Sequence, residues 1–125
     1  MQRPARPDRF DPQPLQRLID LVGPAQAAGF LDQLTRDLTA CAETIRTGAP
    51  LRDWQALRDG SHELISLAGS VGAVALHDLA RALNAAAQDR NPAALDGLLP
   101  VLDPDLAALI ALVVAMPRPA LPGAA

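Results

Sequence analysis

Two histidines, one cysteine and a set of scattered carboxylates carry most of the reactive chemistry in this 125-residue sequence. His62 stands in the stretch Ser-His-Glu-Leu-Ile-Ser-Leu-Ala-Gly-Ser-Val-Gly-Ala, residues 61–73. Ser66, Gly69, Ser70, Gly72 and Ala73 put little bulk around it. An imidazole is nucleophilic around neutral pH and moves protons readily. Held on a helix face among small neighbours, it suits docking against another protein's active site. Other chemistries find less support. His62 and His77 fall on different predicted helices, and neither has a second His or Cys at ligand spacing, which argues against a metal centre. No serine sits in the strand-turn-helix elbow of a hydrolase. Asp59 and Glu63 read as solvated helix charges. Cys41 is the only cysteine, so no internal disulfide forms, and its place on an apolar helix face predicts an inert core thiol. All eleven cations are arginine, so no mechanism here can use a lysine.

The elements that hold these residues follow from period and punctuation. Asp11-Pro12 is a helix-start signal, with Asp11 as cap and Pro12 in the first position. It predicts a short helix to about Leu21, with Leu15 and Leu18 inward and Phe10 packing back on it. Gly23-Pro24 opens a second helix, whose inward residues are Ala27, Phe30, Leu31, Leu34, Leu38, Cys41 and Ile45. Gly48-Ala49-Pro50 predicts its end, with Gly48 as the cap. A third helix from near Leu51 has the inward stripe Trp54, Leu57, Ser61, Leu64, Ala68 and Val71. At about 100° per residue His62 lies well off that stripe and Ser66 almost opposite it. Arg58 and Gly69 share the outer side with His62, and Ile65 lies at its edge, free either to face a partner or to pack inward. Gly60 costs about 1 kcal/mol in the helix without breaking it.

Gly72 marks the next turn. A fourth helix spans about Ala75 to Gln88, with Leu76, Leu79, Ala80, Leu83 and Ala87 inward and His77 on its flank, a surface position. Asn91 caps the last segment. Its stripe of Leu95, Leu98, Leu99, Leu102, Leu106, Leu109, Ile110 and Val113 keeps phase through Pro100 and Pro104. An interior proline removes a hydrogen bond and clashes with the preceding turn. The expectation is therefore a helix interrupted between Leu99 and Pro104, with two roughly collinear parts.

Half of the residues are hydrophobic but only 2% are aromatic. A core of Leu, Ala, Val and Ile favours helices over sheets. The chain is long enough for one core. Short connections make successive helices antiparallel neighbours. The fold class is all-α, an up-down-up-down antiparallel four-helix bundle with a short leading N-terminal helix. Residues 1–9 are expected to be a disordered tail, 10–116 the bundle and 117–125 a flexible tail. A net charge of −3 offers no basic footprint for nucleic acid. The longest unbroken apolar run, Leu106 to Met116, is well short of the roughly 20 residues of a membrane span. The N-terminal stretch has no apolar signal core. These features predict a cytoplasmic protein that engages neither nucleic acid nor membrane.

The run His62-x-Leu64, then Ala68-Gly69 and Gly72-Ala73, resembles the motif of the histidine-containing phosphotransfer (HPt) family of bacterial two-component phosphorelays. Phe10-Asp11-Pro12 with Leu15 and Leu18 looks like that family's opening. Asp53-Trp54 with Leu57 resembles its approach to the histidine, and Leu76, Leu79-Ala80 and Leu83 resemble its following helix. Two positions depart: Ile65 stands where the family has Lys, and Ser66 where it has Gly. The resemblance implies a four-helix bundle that carries a phosphoryl group on His62 to or from the aspartate of a response-regulator receiver domain. A receiver and a hybrid sensor histidine kinase are the implied partners. Arg58, Asp59, Ile65, Ser66 and Gly69 are the implied phosphoryl or partner contacts, with Arg58 either supplying the missing cation or lying solvated. The chain itself is expected to bind no cofactor; Mg²⁺ belongs to the partner's acidic pocket. A monomeric phosphoryl carrier follows, not an autonomous enzyme.

The alternative is an HPt-like adaptor or inhibitor that binds a kinase or receiver without phosphotransfer. The replacement of the family's Lys by Ile65 is its evidence.

Overall fold

The computed structural model describes residues 12–118. These form five helices: α1 (Gln13–Val22), α2 (Pro24–Leu51), α3 (Trp54–Ser70), α4 (Val74–Gln88) and α5 (Pro92–Ala115). Among the described residues there is no strand. Helix α2 packs on α3, α3 on α4, α4 on α5 and α5 back on α2, which closes a ring of four long helices; α1 lies against α2. The core is almost wholly aliphatic, with Leu31, Leu38, Ile45, Leu57, Leu64, Leu83, Leu95 and Leu102 buried at its centre. This matches the expectation from a sequence rich in Leu and Ala and nearly devoid of aromatics. The proposed N-terminal cap Asp11, the packing of Phe10 and both terminal tails lie outside the described residues, apart from the first two residues of the C-terminal one.

Chain reversals are built by the residues between helices. The α2–α3 turn has Arg52 in the left-handed region (φ 52°). The Arg52 N–H donates to the Ala49 carbonyl and the Asp53 N–H to the Gly48 carbonyl, the double closure of a Schellman motif. Asp53 then caps α3, its Oδ1 accepting from the Ala56 N–H at 3.1 Å. Gly72 (φ 78°) closes α3 in the same way, with the Ala73 N–H donating to the Ala68 carbonyl at 3.0 Å. Arg90 and Asn91 repeat the device after α4, and Asn91 caps α5 through the Ala94 N–H.

Two expectations from the sequence are overturned at these junctions. Gly48 is not the end of α2 but a buried interior residue. A Cβ there would sit 3.3 Å from the Cβ of Ala56, so the glycine lets the start of α3 approach closely. Leu51 accordingly ends α2 and is 72% exposed, and α3 starts only at Trp54. The interruption expected in the last segment is also absent: α5 runs unbroken through Pro100 and Pro104. Both rings lie on the exposed face. The carbonyls of Asp96 and Pro100, which lose amide donors at i+4, therefore stay open to water, and the buried stripe of Leu95, Leu102, Leu106, Leu109 and Val113 remains intact. The unbroken α5 is also long and apolar enough to cross a membrane by length and composition, with an 18-residue window of mean hydropathy 2.0. The count of uninterrupted apolar residues missed this because Asp103, Pro104 and Asp105 divide the run. In the bundle α5 forms one wall, between α2 and α4.

Candidate functional site

The site centres on α3. Leu57, Gly60, Ser61, Leu64 and Ala68 anchor this helix in the core. His62, immediately after buried Ser61, is therefore turned out and exposed. No hydrogen bond or ion pair engages its ring among the described residues.

The backbone beneath His62 is fixed from the core side. Ser61 is fully buried. Its Oγ donates to the Arg58 carbonyl at 3.1 Å and accepts from Asn84 Nδ2 on α4 at 3.1 Å. The same amide nitrogen lies 3.3 Å from the Arg58 carbonyl, and Gln88 Nε2 donates to Asn84 Oδ1 at 2.6 Å. No buried side-chain nitrogen or oxygen among the described residues is left without a partner. This polar tie holds α3 against α4 one residue from His62. The amphipathic pattern marked Ser61 as inward but gave no sign of Asn84 or Gln88, because the tie spans two helices and only packing brings its ends together.

The expected contact residues divide by side. Ser66 and Gly69 are exposed on the outer surface of α3. Gly69 follows His62 by seven residues, two turns along the same face, or about 10 Å. Ile65 is half-buried and packs against the core, so of its two possible placements it occupies both in part. Helical side chains lean back towards the N-terminus, so the space over His62 is bordered by Ile65 and Ser66, three and four residues later. One turn before His62, Arg58 is engaged towards the N-terminus of α3, its Nη2 donating to Gln55 Oε1 at 2.6 Å. Gln55 Nε2 in turn donates to Asp59 Oδ1 at 2.9 Å. Asp59 and Glu63 line, with Asp37, Cys41, Thr44 and Gly60, a cavity of about 250 Å³ on the α2 side of α3. Negative charge thus gathers on one flank of His62.

Cys41 is buried on that flank. Burial, reinforced by the carboxylates of Glu63 and Asp37, pushes its thiol up to about 11. That keeps it protonated and unreactive. Just before the start of α3, Arg52 grips Asp96 through both terminal guanidinium nitrogens, at 2.8 and 3.2 Å. The hydrogen bond holds the Asp96 carboxyl below its usual value. This pair ties the α2–α3 turn to α5.

His77 stands part-exposed on the flank of α4, with its ring turned onto α3. Its side chain is 31% exposed, and its ring lies on α3 beside Gly69: a Cβ on Gly69 would stand 3.3 Å from His77 Cδ2 and 3.7 Å from Nε2. The glycine makes room for the imidazole, a relation that neither residue's own helical period reveals.

The site is thus an exposed imidazole without an internal partner among the described residues, on a helix face it shares with exposed Ser66 and Gly69 and with half-buried Ile65 at its edge. A family model for the Hpt domain matches residues 29–114. No curated protein matches the chain, and no solved structure does. The match takes in all of α3 and α4 and most of α2 and α5, so it covers the ring of helices together with the face on which His62 stands, and the chain belongs to the Hpt domain family, whose members transfer phosphoryl groups through histidine in phosphorelays.

Proposed function

We propose that this chain carries a phosphoryl group on His62, exchanged with the aspartate of a response-regulator receiver domain. The observation that carries the reading is the exposure of His62, free of internal partners, at the motif position of an Hpt-matched helix. The lone pair of an unprotonated ring nitrogen attacks the phosphorus of the receiver's acyl phosphate. A P–N bond forms as the P–O bond to the aspartyl carboxylate breaks, and the carboxylate leaves with the electron pair. The reverse step returns the group. Such transfer depends on in-line positioning and on stabilising charge over the phosphoryl oxygens. Small Ser66 and Gly69 let the receiver's active site come close, and the Ser66 hydroxyl is the near polar contact. Ile65 gives an apolar edge. Arg58 and Asp59, joined through Gln55, form the N-terminal rim of the docking surface.

Mg²⁺ enters with the receiver's acidic pocket. Among the described residues of this chain no three His, Cys, Asp or Glu side chains gather to hold a metal ion. A hybrid sensor histidine kinase is the upstream source of phosphate. Links of two or three residues between the long helices support an up-down-up-down arrangement. We place the protein in the cytoplasm, with its receiver, as a monomer.

The test is incubation with a phosphorylated receiver, scored for acid-labile, base-stable label on this chain. Label on the wild type and its loss in His62→Gln is the expected result. An unlabelled wild type, or equal label on His62→Gln, overturns the reading. One observation favours a second reading, the adaptor without phosphotransfer: Ile65 places a hydrocarbon where the family's cation borders the histidine. Receiver binding that persists in His62→Ala without any transfer identifies it.

A further inference from the structure

We infer that His77 of α4 is a specificity-determining contact for the partner that docks on His62. The inference rests on the reading of His62 as the centre of a docking surface. His77 lies against Gly69, and Gly69 stands two helical turns, about 10 Å, from His62 on the same side of α3. A stable protein–protein contact covers about 800 Å² on each partner. A round patch of that size reaches about 16 Å from its centre, so a partner seated over His62 also covers Gly69 and His77.

What the partner meets there is polar. The His77 ring is held at Gly69 with its Nε2 edge on the α3 surface. Its Nδ1 is 3.7 Å from Asp78 Oδ1, beyond hydrogen-bonding distance. Neither nitrogen therefore has a hydrogen-bond partner among the described residues, and the ring is already 69% covered. Completing its burial under an apolar patch would strand a donor and an acceptor, which is unfavourable. The surface thus selects a partner with a polar group, a carboxylate or a backbone carbonyl, opposite His77 Nε2. Gly69 takes part by leaving the ring room to lie flush with the face: any side chain at position 69 would push the imidazole up into the partner.

The experiment uses the full chain and purified receiver domains from the source organism, with affinity measured by calorimetry and label transfer measured separately. The affinity of the receiver that binds wild type most tightly is compared with that of His77→Ala and His77→Gln. His77→Ala should weaken binding five- to twentyfold, and His77→Gln, which keeps a donor and an acceptor, should recover most of it. Unchanged affinity in His77→Ala overturns the proposal even if phosphate still reaches His62. Equal weakening in both variants overturns it as well, since it would reduce the side chain to packing. If no receiver binds, the proposal falls together with the docking surface. Binding that depends on His77 without any label on His62 supports the proposal while removing the phosphotransfer reading.

Discussion

Asn84 Nδ2 on α4 donates to Ser61 Oγ on α3 at 3.1 Å, and Ser61 is fully buried. The bond joins two helices immediately beneath the exposed His62. A half-satisfied buried hydroxyl costs more than an absent one. Asn84→Ala leaves the Ser61 hydroxyl with only its bond to the Arg58 carbonyl, so it should destabilise by about 1–2 kcal/mol. Asn84→Ala in a Ser61→Ala background should cost less than in the wild type, because the shared bond is already gone. Urea unfolding of the two single variants and the double variant measures this, and strict additivity would show that the bond couples nothing.

Glycines in helices divide by what surrounds them. A Cβ on Gly60 would meet Ile45 Cγ1 at 3.1 Å and Thr44 Cγ2 at 3.3 Å, whereas one on Gly97 meets nothing within 4 Å. Alanine gains about 1 kcal/mol over glycine in a helix interior. At position 97 in α5 that gain is free, and Gly97→Ala should stabilise by about 0.5–1 kcal/mol. At position 60 the added methyl must separate α2 from α3, and overpacking costs about 1–3 kcal/mol. Gly60→Ala should therefore be a net loss. Thermal melts of the two variants, shifted in opposite directions, are the expected outcome.

This contrast also marks how far the sequence was legible. Three- and four-residue spacing placed all five helices and nearly every buried Leu, because an amphipathic stripe is a local property. The cap at Asn91 and the turn at Gly72 were equally local. What escaped was information shared between helices: that Gly48 and Gly60 mark close approach and not an end or a weak point, that Asn84 reaches Ser61, and that His77 settles on Gly69. The prolines of α5 misled for a related reason. Their effect depends on which face they occupy, and both rings fall on the solvent side. For the site, the motif around His62 was readable, with Ile65 and Ser66 one turn after the histidine, but the hydrogen bond from Arg58 to Gln55 came only with the structure.

Cys41 supplies a prediction in pH. Its thiol, at about 11 in the fold against 9.0 for an ordinary cysteine, keeps its proton at pH values where the unfolded chain has lost it. Stability is unaffected below about pH 9 and falls as pH rises from 9 towards 11, since the folded state then binds the extra proton. A difference of two units also means roughly a hundredfold less thiolate at pH 8. Iodoacetamide should label native Cys41 at least a hundredfold more slowly than the urea-unfolded chain. Comparable rates would show that the thiol is not shielded by the α2–α3 interface.

Ile65 offers the sharpest test of whether the site is tuned for transfer. Position 65 follows His62 by three residues, and its side chain leans back over the histidine. An ammonium there would stand close to the phosphoryl oxygens, where charge builds during transfer. Ile65→Lys should raise the transfer rate about three- to thirtyfold, or roughly 0.7–2 kcal/mol of barrier. It should also lower stability by about 1 kcal/mol, because Ile65 is half-buried against the core. Ile65→Gln is the control, matched in polarity but without charge. Single-turnover transfer of label, read beside the urea midpoint of each variant, separates the two effects. A gain confined to Lys shows that the native chain works without a cation that its fold can accommodate. Equal rates in Lys and Gln show that charge at this position is irrelevant to the chemistry. Transfer that appears only in Ile65→Lys, from a wild type that shows none, identifies the native protein as a docking module whose phosphotransfer was switched off at a single side chain.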